Sequence, residues 1–164
     1  MKTKKPMTRP GYKKLVAEYE HLTKVERPRV VKGVSDAAAE GDRSENAEYI
    51  YGKKKMREID KRLKYLGQLL KDVEIIDIDN LRGTKVCVGA TVVVMDEEEE
   101  IKKWTIVGDG EADARDGTIS YKAPVAKALL GKEVGDAVTI YRPKGEIEVE
   151  ITGLYFGDRL IAGE

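Results

Sequence analysis

Two carboxylates, Asp42 and Glu45, stand in the short segment Gly41–Asn46, which lies between two long helical patterns. At the bend of a helical hairpin, such side chains would lie at the end of a projecting rod, where they are poorly placed to stabilise their own domain. Carboxylate oxygens suit Mg²⁺, which usually takes only one or two carboxylates from a protein. The segment therefore predicts acidic ligands that are delivered to a partner molecule.

A purely structural role for the same acids is the alternative. Asp42-Arg43-Ser44-Glu45 has the form of a capping box, with Asp42 as the N-cap of the second helix and Glu45 at its third position. Acidic side chains there also suit the positive end of the helix dipole. A cap needs only local hydrogen bonds, so one carboxylate oxygen can still face outward. The two roles do not exclude each other.

Apolar residues at helical spacings of three and four predict both arms of the hairpin. In the second arm they are Met56, Ile59, Leu63, Leu66, Leu70 and Val73. In the first arm they are Tyr12, Leu15, Tyr19 and Leu22, and later Val30, Val34 and Ala38. Pro28 lies between these two sets, so we expect the seam to shift and the helix to kink there. Two helices of about 28 residues would each rise roughly 40 Å.

The charge distribution predicts two domains, residues 1–78 and 79–164. Net charge is zero, yet the first half carries 19 Lys/Arg against 13 Asp/Glu and the second carries 11 against 17. The basic half is the candidate for contact with nucleic acid. No apolar run reaches the roughly 18–20 residues of a membrane span. The single cysteine, Cys87, excludes an internal disulfide and fits the cytoplasm.

The second half predicts a small sheet domain. Runs rich in β-branched residues, punctuated by Gly, Asp and Pro, read as strands. They fall at residues 86–95, 101–107, 118–121, 138–141 and 147–151, with one short helix at 124–130. Five short strands with one helix indicate the α+β class. The acidic segment 108–113 lacks the closing Glu of a calcium-binding loop, so we reject a calcium site there.

The tip and the run behind it closely resemble the GreA/GreB family of bacterial transcript-cleavage factors. The matching residues are Gly41-Asp42-Arg43-Ser44-Glu45-Asn46-Ala47-Glu48-Tyr49, Tyr51, Lys53-Lys54 and Arg57-Glu58-Ile59-Asp60-Lys61-Arg62. This part looks more like GreB, whereas residues 106–113 look more like GreA. Residues 123–136 match as well, so the resemblance spans nearly the whole chain. It implies an antiparallel coiled-coil hairpin with an acidic tip at 41–46, followed by an FKBP-like sheet domain.

The resemblance also implies a function. The hairpin would enter the secondary channel of a backtracked RNA polymerase while the sheet domain stays at the channel rim. Asp42 and Glu45 would help to hold a Mg²⁺ shared with the polymerase active site, which cleaves the nascent RNA at its 3′ end. The chain would then be a monomeric activator with no cofactor of its own, and not an enzyme. Arg43, Ser44 and Asn46 would shape the tip.

A basic stripe on the second helix is the candidate RNA contact. Its residues are Lys53, Lys54, Arg57 and Lys61. A solvated helix face, supported by the pairs Glu58–Arg62 and Asp60–Lys64, is the alternative. Attraction to phosphate explains the excess of lysines near the tip better, and the family's basic patch is thought to hold extruded RNA.

The loop before the short helix is the candidate polymerase-docking site. It comprises Tyr121, Lys122, Ala123 and Pro124. The family commonly has an acidic or amide residue followed by Ser-Pro there, so only Pro124 matches. Lys122 adds a positive charge, which puts the strength of docking in question.

Two other functions are weighed against the activator. A channel occupant of the same fold that inhibits transcription would be expected to carry an altered or expanded acidic tip, whereas this tip keeps the activator pattern. A prolyl isomerase would need an aromatic-lined apolar pocket. Residues 79–164 offer only Trp104, Phe156 and three tyrosines for such a pocket.

Overall fold

The computed structural model describes residues 4–41 and 46–163. Contacts divide the chain into a helical unit, Lys13–Lys71, and a sheet unit made of the residues up to Tyr12 and those from Asp72 onward. These units do not divide at the predicted boundary of 78/79. The reason is that strand β1 (Lys5–Thr8) pairs in parallel with strand β2 (Val73–Ile76), which brings the N-terminal residues to the sheet unit.

The helical unit contains the predicted hairpin. Its first arm consists of α1 (Arg9–His21), a π-helical turn (Leu22–Glu26) and α2 (Arg27–Ala38), and its second arm is α3 (Ala47–Leu69). The seam buries Leu15, Ala37, Ile59, Leu66 and Leu69. Because Leu70 is already the C-cap and Val73 belongs to β2, α3 has 23 residues instead of 28 and rises about 35 Å.

The seam of the first arm shifts at the π-helical turn, before the predicted kink at Pro28. There the backbone N–H of Arg27 donates to the carbonyl of Leu22, five residues back instead of four. The turn therefore accommodates one extra residue. The apolar positions show the same insertion, because Leu22 is followed by Val30 after eight residues instead of seven. Pro28 lies in the first turn of α2, where a missing N–H is tolerated.

A six-stranded sheet forms the centre of the sheet unit. Its strands are β3 (Ala90–Asp96), β4 (Ile101–Val107), β5 (Thr118–Ser120), β6 (Ala137–Arg142), β7 (Gly145–Phe156) and β8 (Arg159–Gly163). The order is β5-β4-β3-β7-β6, and β8 also pairs with β7. All pairs are antiparallel except β4 with β5. The short helix α4 (Pro124–Leu129) packs against β6 and buries Ala126 and Leu129 completely.

The α+β class is confirmed, with more strands than predicted. β7 continues beyond residue 151 because the inward-facing Leu154 and Phe156 extend its buried face. β8 was not predicted, since Arg159-Leu160-Ile161-Ala162-Gly163 is too short and mixed to stand out from a turn. Over residues 4–41 and 46–163, no helix has both the length and the apolar character needed to span a membrane.

Candidate functional site

Asn46 joins the two arms of the hairpin beside the tip. It is the N-cap of α3, and its Oδ1 accepts a hydrogen bond from the backbone N–H of Tyr49 at 3.1 Å. Its Nδ2 donates to the carbonyl of Ala37, in the last turn of α2, at 2.7 Å. One amide thus serves an N–H at the start of one helix and a C=O at the end of the other. This double role requires a side chain that carries both a donor and an acceptor.

The capping box predicted at the tip is wrong, because Asn46 and not Asp42 is the N-cap of α3. Capping that helix was the structural alternative for the two acids. Asp42, Arg43, Ser44 and Glu45 themselves lie outside the described residues. On the near side of this segment, Gly41 has φ +151°, a conformation that favours glycine.

The arms approach each other closely near the tip. A Cβ added to Gly52 of α3 would lie 2.6 Å from Cγ2 of Val34 on α2. Val34 is β-branched and has little freedom to turn away. Glycine at position 52 therefore allows this close approach of the two arms.

Two ion pairs connect the arms further from the tip. The Arg62 guanidinium donates to both carboxylate oxygens of Glu18, at 2.6 and 3.0 Å, and Arg27 donates to Asp60 at 2.8 Å. The hydrogen bond from Arg62 lowers the pKa of Glu18, and that from Arg27 lowers the pKa of Asp60. Arg62 and Asp60 thus bind across the hairpin and not to Glu58 and Lys64, the partners predicted within α3.

The basic stripe consists of Lys53, Lys54, Arg57 and Lys61 on the outer face of α3. All four residues are exposed. None of them forms an ion pair with another residue in the described parts of the chain. The pairs predicted within α3, Glu58–Arg62 and Asp60–Lys64, are not formed in the described residues either. The four cations are an exposed row without ion-pair partners there, an arrangement that attracts phosphate.

The docking loop, Tyr121–Pro124, connects β5 to α4. The backbone N–H of Tyr121 donates to the carbonyl of Val107 at 2.9 Å, which extends the pairing of β4 and β5. The ammonium group of Lys122 lies 3.2 Å from a carboxylate oxygen of Asp109, so its positive charge is partly balanced on this surface. Ala123 is the N-cap of α4 and provides no side-chain hydrogen bond, while Pro124 occupies the first turn.

Glu111, in the acidic segment 108–113, anchors β1 and the start of α1. Its carboxylate accepts hydrogen bonds from the backbone N–H of Thr8 at 3.0 Å, from the Thr8 hydroxyl and from the backbone N–H of Gly108. A Cβ on Gly11 would clash with Oε1 of Glu111, so a larger residue there would displace the carboxylate. No sequence pattern signals this anchor, because Thr8 and Glu111 are 103 residues apart.

No group of three or more His, Cys, Asp or Glu side chains is arranged to hold a metal ion within residues 4–41 and 46–163. The predicted ligands, Asp42 and Glu45, are outside these residues. A set of two carboxylates would in any case be only part of a magnesium shell.

Two family models match the chain over most of its length. "Transcription elongation factor, N-terminal" matches residues 5–75, and "Transcription elongation factor, GreA/GreB, C-term" matches residues 81–155. The transcription elongation factor GreB of Yersinia pestis is 49% identical over 140 residues, which cover 85% of this chain and 82% of the relative. The transcription elongation factor GreA of a Nitratiruptor species is 45% identical over 157 residues, with coverage of 95% and 96%.

A solved structure is similar as well. GreA factor homolog 1 of Thermus thermophilus aligns over 93% of this chain and 99% of its own, with 23% identity and a TM-score of 0.43. The identities to GreA and GreB relatives are close to each other, with the GreB value slightly higher over a shorter alignment.

Proposed function

Because the chain belongs to the GreA/GreB family of transcription elongation factors, we propose that it stimulates transcript cleavage by RNA polymerase. The hairpin enters the secondary channel of a backtracked polymerase and brings Asp42 and Glu45 to the polymerase active site. The polymerase then hydrolyses the extruded RNA and gains a new 3′ end. In this proposal the chain is a cytoplasmic monomer that activates the polymerase's nuclease and has no catalytic site of its own.

The observation that carries the proposal is the attachment of the tip by Asn46. This residue caps α3 and binds the end of α2 by two hydrogen bonds, so both helix ends next to the acidic segment are fixed. Asn46, and not Asp42, is the N-cap of α3. In this proposal Asp42 and Glu45 serve the polymerase and not the end of α3.

Asp42 and Glu45 fit a magnesium site that is completed by the polymerase. Their donors are carboxylate oxygens, which Mg²⁺ prefers, and this ion usually takes one or two carboxylates from a protein. Magnesium would supply stabilisation of negative charge on the reacting oxygens of the RNA. The chain's own contribution is to hold the two carboxylates at the end of a stiff hairpin, with Arg43 and Ser44 shaping the segment between them.

RNA and polymerase contacts are assigned to two further surfaces. The basic stripe, with its exposed cations, would hold phosphates of the extruded RNA. The docking loop, Tyr121–Pro124, would contact the polymerase at the channel rim. The family commonly has an acidic or amide residue at the position of Lys122. The ion pair with Asp109 partly neutralises the positive charge of Lys122, and this supports the assignment.

A cleavage assay on a stalled, backtracked elongation complex with Mg²⁺ tests the proposal. Wild type should shorten the RNA from its 3′ end. Asp42→Asn and Glu45→Gln should bind the polymerase normally and lose at least about tenfold in cleavage rate, the scale of loss seen for metal-site partners. Glu40→Gln is the matched control, because Glu40 is an exposed acid on the approach to the tip.

Two outcomes would change the proposal. If both tip variants cleave like wild type, the acids have no role in metal binding. If wild type binds the polymerase and slows elongation without cleaving RNA, the inhibitory function replaces the activating one.

A further inference from the structure

Tyr51 presents an exposed side chain near the start of α3. Its exposure is 67%, similar to that of Ile101 (66%) and Tyr141 (65%) in the sheet unit, and the neighbouring Ile50 is 52% exposed. Within the described residues, neither the ring nor the hydroxyl of Tyr51 has a hydrogen-bond, ion or ring partner. An exposed aromatic ring on a helix rich in charge indicates contact with a partner that has flat π-systems of its own.

The side of Tyr51 that faces away from the tip is basic. Lys54 and Lys55 follow it by three and four residues and are therefore its neighbours on the helix surface. Ile50 lies on the line of the basic stripe, with Lys54 and Arg57 four and seven residues further on. An exposed ring beside a row of cations is complementary to single-stranded nucleic acid, because its bases can stack on the ring and its phosphates can bind the cations.

Tyr65 provides an internal comparison. It lies on the same flank of α3 two heptads later and is 44% exposed. Its ring, however, is covered by the guanidinium of Arg62 at 5.4 Å, and Arg62 is in turn held by Glu18. Three residues before Tyr51 the chain has Glu48 instead of an arginine. The ring near the tip is thus left open, while the ring far from the tip is occupied.

We propose that Tyr51 is a stacking platform for an unpaired base of the extruded RNA, with Lys54 binding an adjacent phosphate. This inference rests on the proposed function, because the backtracked polymerase supplies the RNA. Every base has a π-face, so the contact tolerates any RNA sequence. Tyr51 is a positioning residue: it holds the strand beside the tip and takes no part in the chemistry.

An abasic scan combined with Tyr51→Ala tests the stacking. Single abasic nucleotides are placed at successive positions of the extruded RNA, and cleavage rates are measured with wild type, Tyr51→Ala, Tyr51→Trp and Tyr65→Ala. Tyr51→Ala should lower the rate about fivefold or more, Tyr51→Trp should retain it, and Tyr65→Ala should leave it unchanged. At one position the abasic nucleotide should slow wild type by a similar factor and slow Tyr51→Ala no further.

Failure of the inference is distinguishable from failure of the proposed function. If wild type cleaves and Tyr51→Ala cleaves equally fast, the platform is refuted and the function stands. A second outcome is that Tyr51→Ala cleaves slowly but each abasic nucleotide lowers its rate by the same factor as it lowers the rate of wild type. In that case the ring contacts protein and not a base. If wild type does not stimulate cleavage, the function fails, and equal affinity of wild type and Tyr51→Ala for a single-stranded RNA oligonucleotide then refutes the platform too. A thermal unfolding midpoint of Tyr51→Ala equal to that of wild type establishes that the variant is folded.

Discussion

Asn46 and Ala37 are joined across the bend of the hairpin by a hydrogen bond of 2.7 Å, from the side-chain amide of one to the backbone carbonyl of the other. The same amide group caps α3 through its oxygen. The acidic segment is therefore bounded by a residue that serves both helices at once. A loss at this position should affect stability and tip geometry together.

Substitutions at Asn46 separate the two hydrogen bonds. Asn46→Ala loses both and should destabilise the chain by about 1–2 kcal/mol. Asn46→Asp keeps an acceptor for Tyr49 but has no donor for Ala37, so its loss should be smaller. Urea unfolding gives the free energies, and a cleavage assay at saturating protein should show that both variants are slower than wild type. Equal stability of Asn46→Ala and wild type would contradict the geometry described.

The Glu18–Arg62 pair should make stability depend on pH. Because Arg62 lowers the pKa of Glu18 in the folded chain, the contribution is present above the unfolded pKa of about 4.3 and is lost as pH falls through the lower folded value. The pair is partly exposed, so we expect no more than about 1 kcal/mol. Urea unfolding at pH 7 should show this cost for Glu18→Gln, and the difference from wild type should shrink towards pH 3. Glu20→Gln, at an exposed acid of the same helix, should show neither effect.

Gly11→Ala should destabilise the chain although alanine ordinarily favours a helix. The new methyl group would displace the Glu111 carboxylate from its hydrogen bonds with Thr8 and Gly108, at a cost of about 1–3 kcal/mol. In α2, Gly33 has nothing near its Cβ position, so Gly33→Ala should instead stabilise by about 0.5–1 kcal/mol.

The Glu111→Ala background gives the decisive comparison for Gly11. With the carboxylate gone, Gly11→Ala should become neutral or favourable, and the two substitutions should be strongly non-additive. Thermal unfolding of the four proteins measures this. Additive effects would mean that Glu111 does not hold the start of α1.

Ala123→Ser should stabilise α4. Ala123 has the extended backbone conformation of an N-cap but no side-chain oxygen, and a serine there would accept from a free N–H of the first turn, a gain of about 1 kcal/mol. Ala128→Ser, inside the same helix, should cost about half that amount. Thermal unfolding distinguishes the two, and a lower stability of Ala123→Ser would show that the cap position is misplaced.

Local patterns in the sequence predict part of the hairpin seam, but Tyr19 is exposed, and Ala37 and Leu69 are buried where Ala38 and Leu70 are predicted. Ile59 and Leu66 are buried as the heptad spacing requires, because that spacing acts within one helix. The start of α3 was harder, since Asp42 and Asn46 both satisfy the local rules for an N-cap. In the structure Asn46 is the N-cap, and it also donates to the carbonyl of Ala37, a contact between two helices that no local rule predicts.

Contacts between distant parts of the chain could not be predicted. The pairing of Lys5 with Val73 and the anchoring of Thr8 by Glu111 depend on tertiary structure and leave no periodic trace. The ion-pair partners predicted for Arg62 and Asp60 are wrong for the same reason. The i,i+4 rule considers a single helix, whereas in the hairpin both residues pair with the other arm. The placement of Asp42 and Glu45 stays a prediction, as they lie outside the described residues.

The π-helical turn at Leu22–Glu26 has a consequence for engineering the length of the hairpin. One residue corresponds to about 100° of rotation in an α-helix, so the turn acts as a phase shifter between the two halves of the first arm. Deleting a single residue there would give a more regular helix, yet it would rotate Val34 and Ala37 away from α3. Adding or removing whole heptads in both arms, on the tip side of the turn, would preserve the phase and change only the reach.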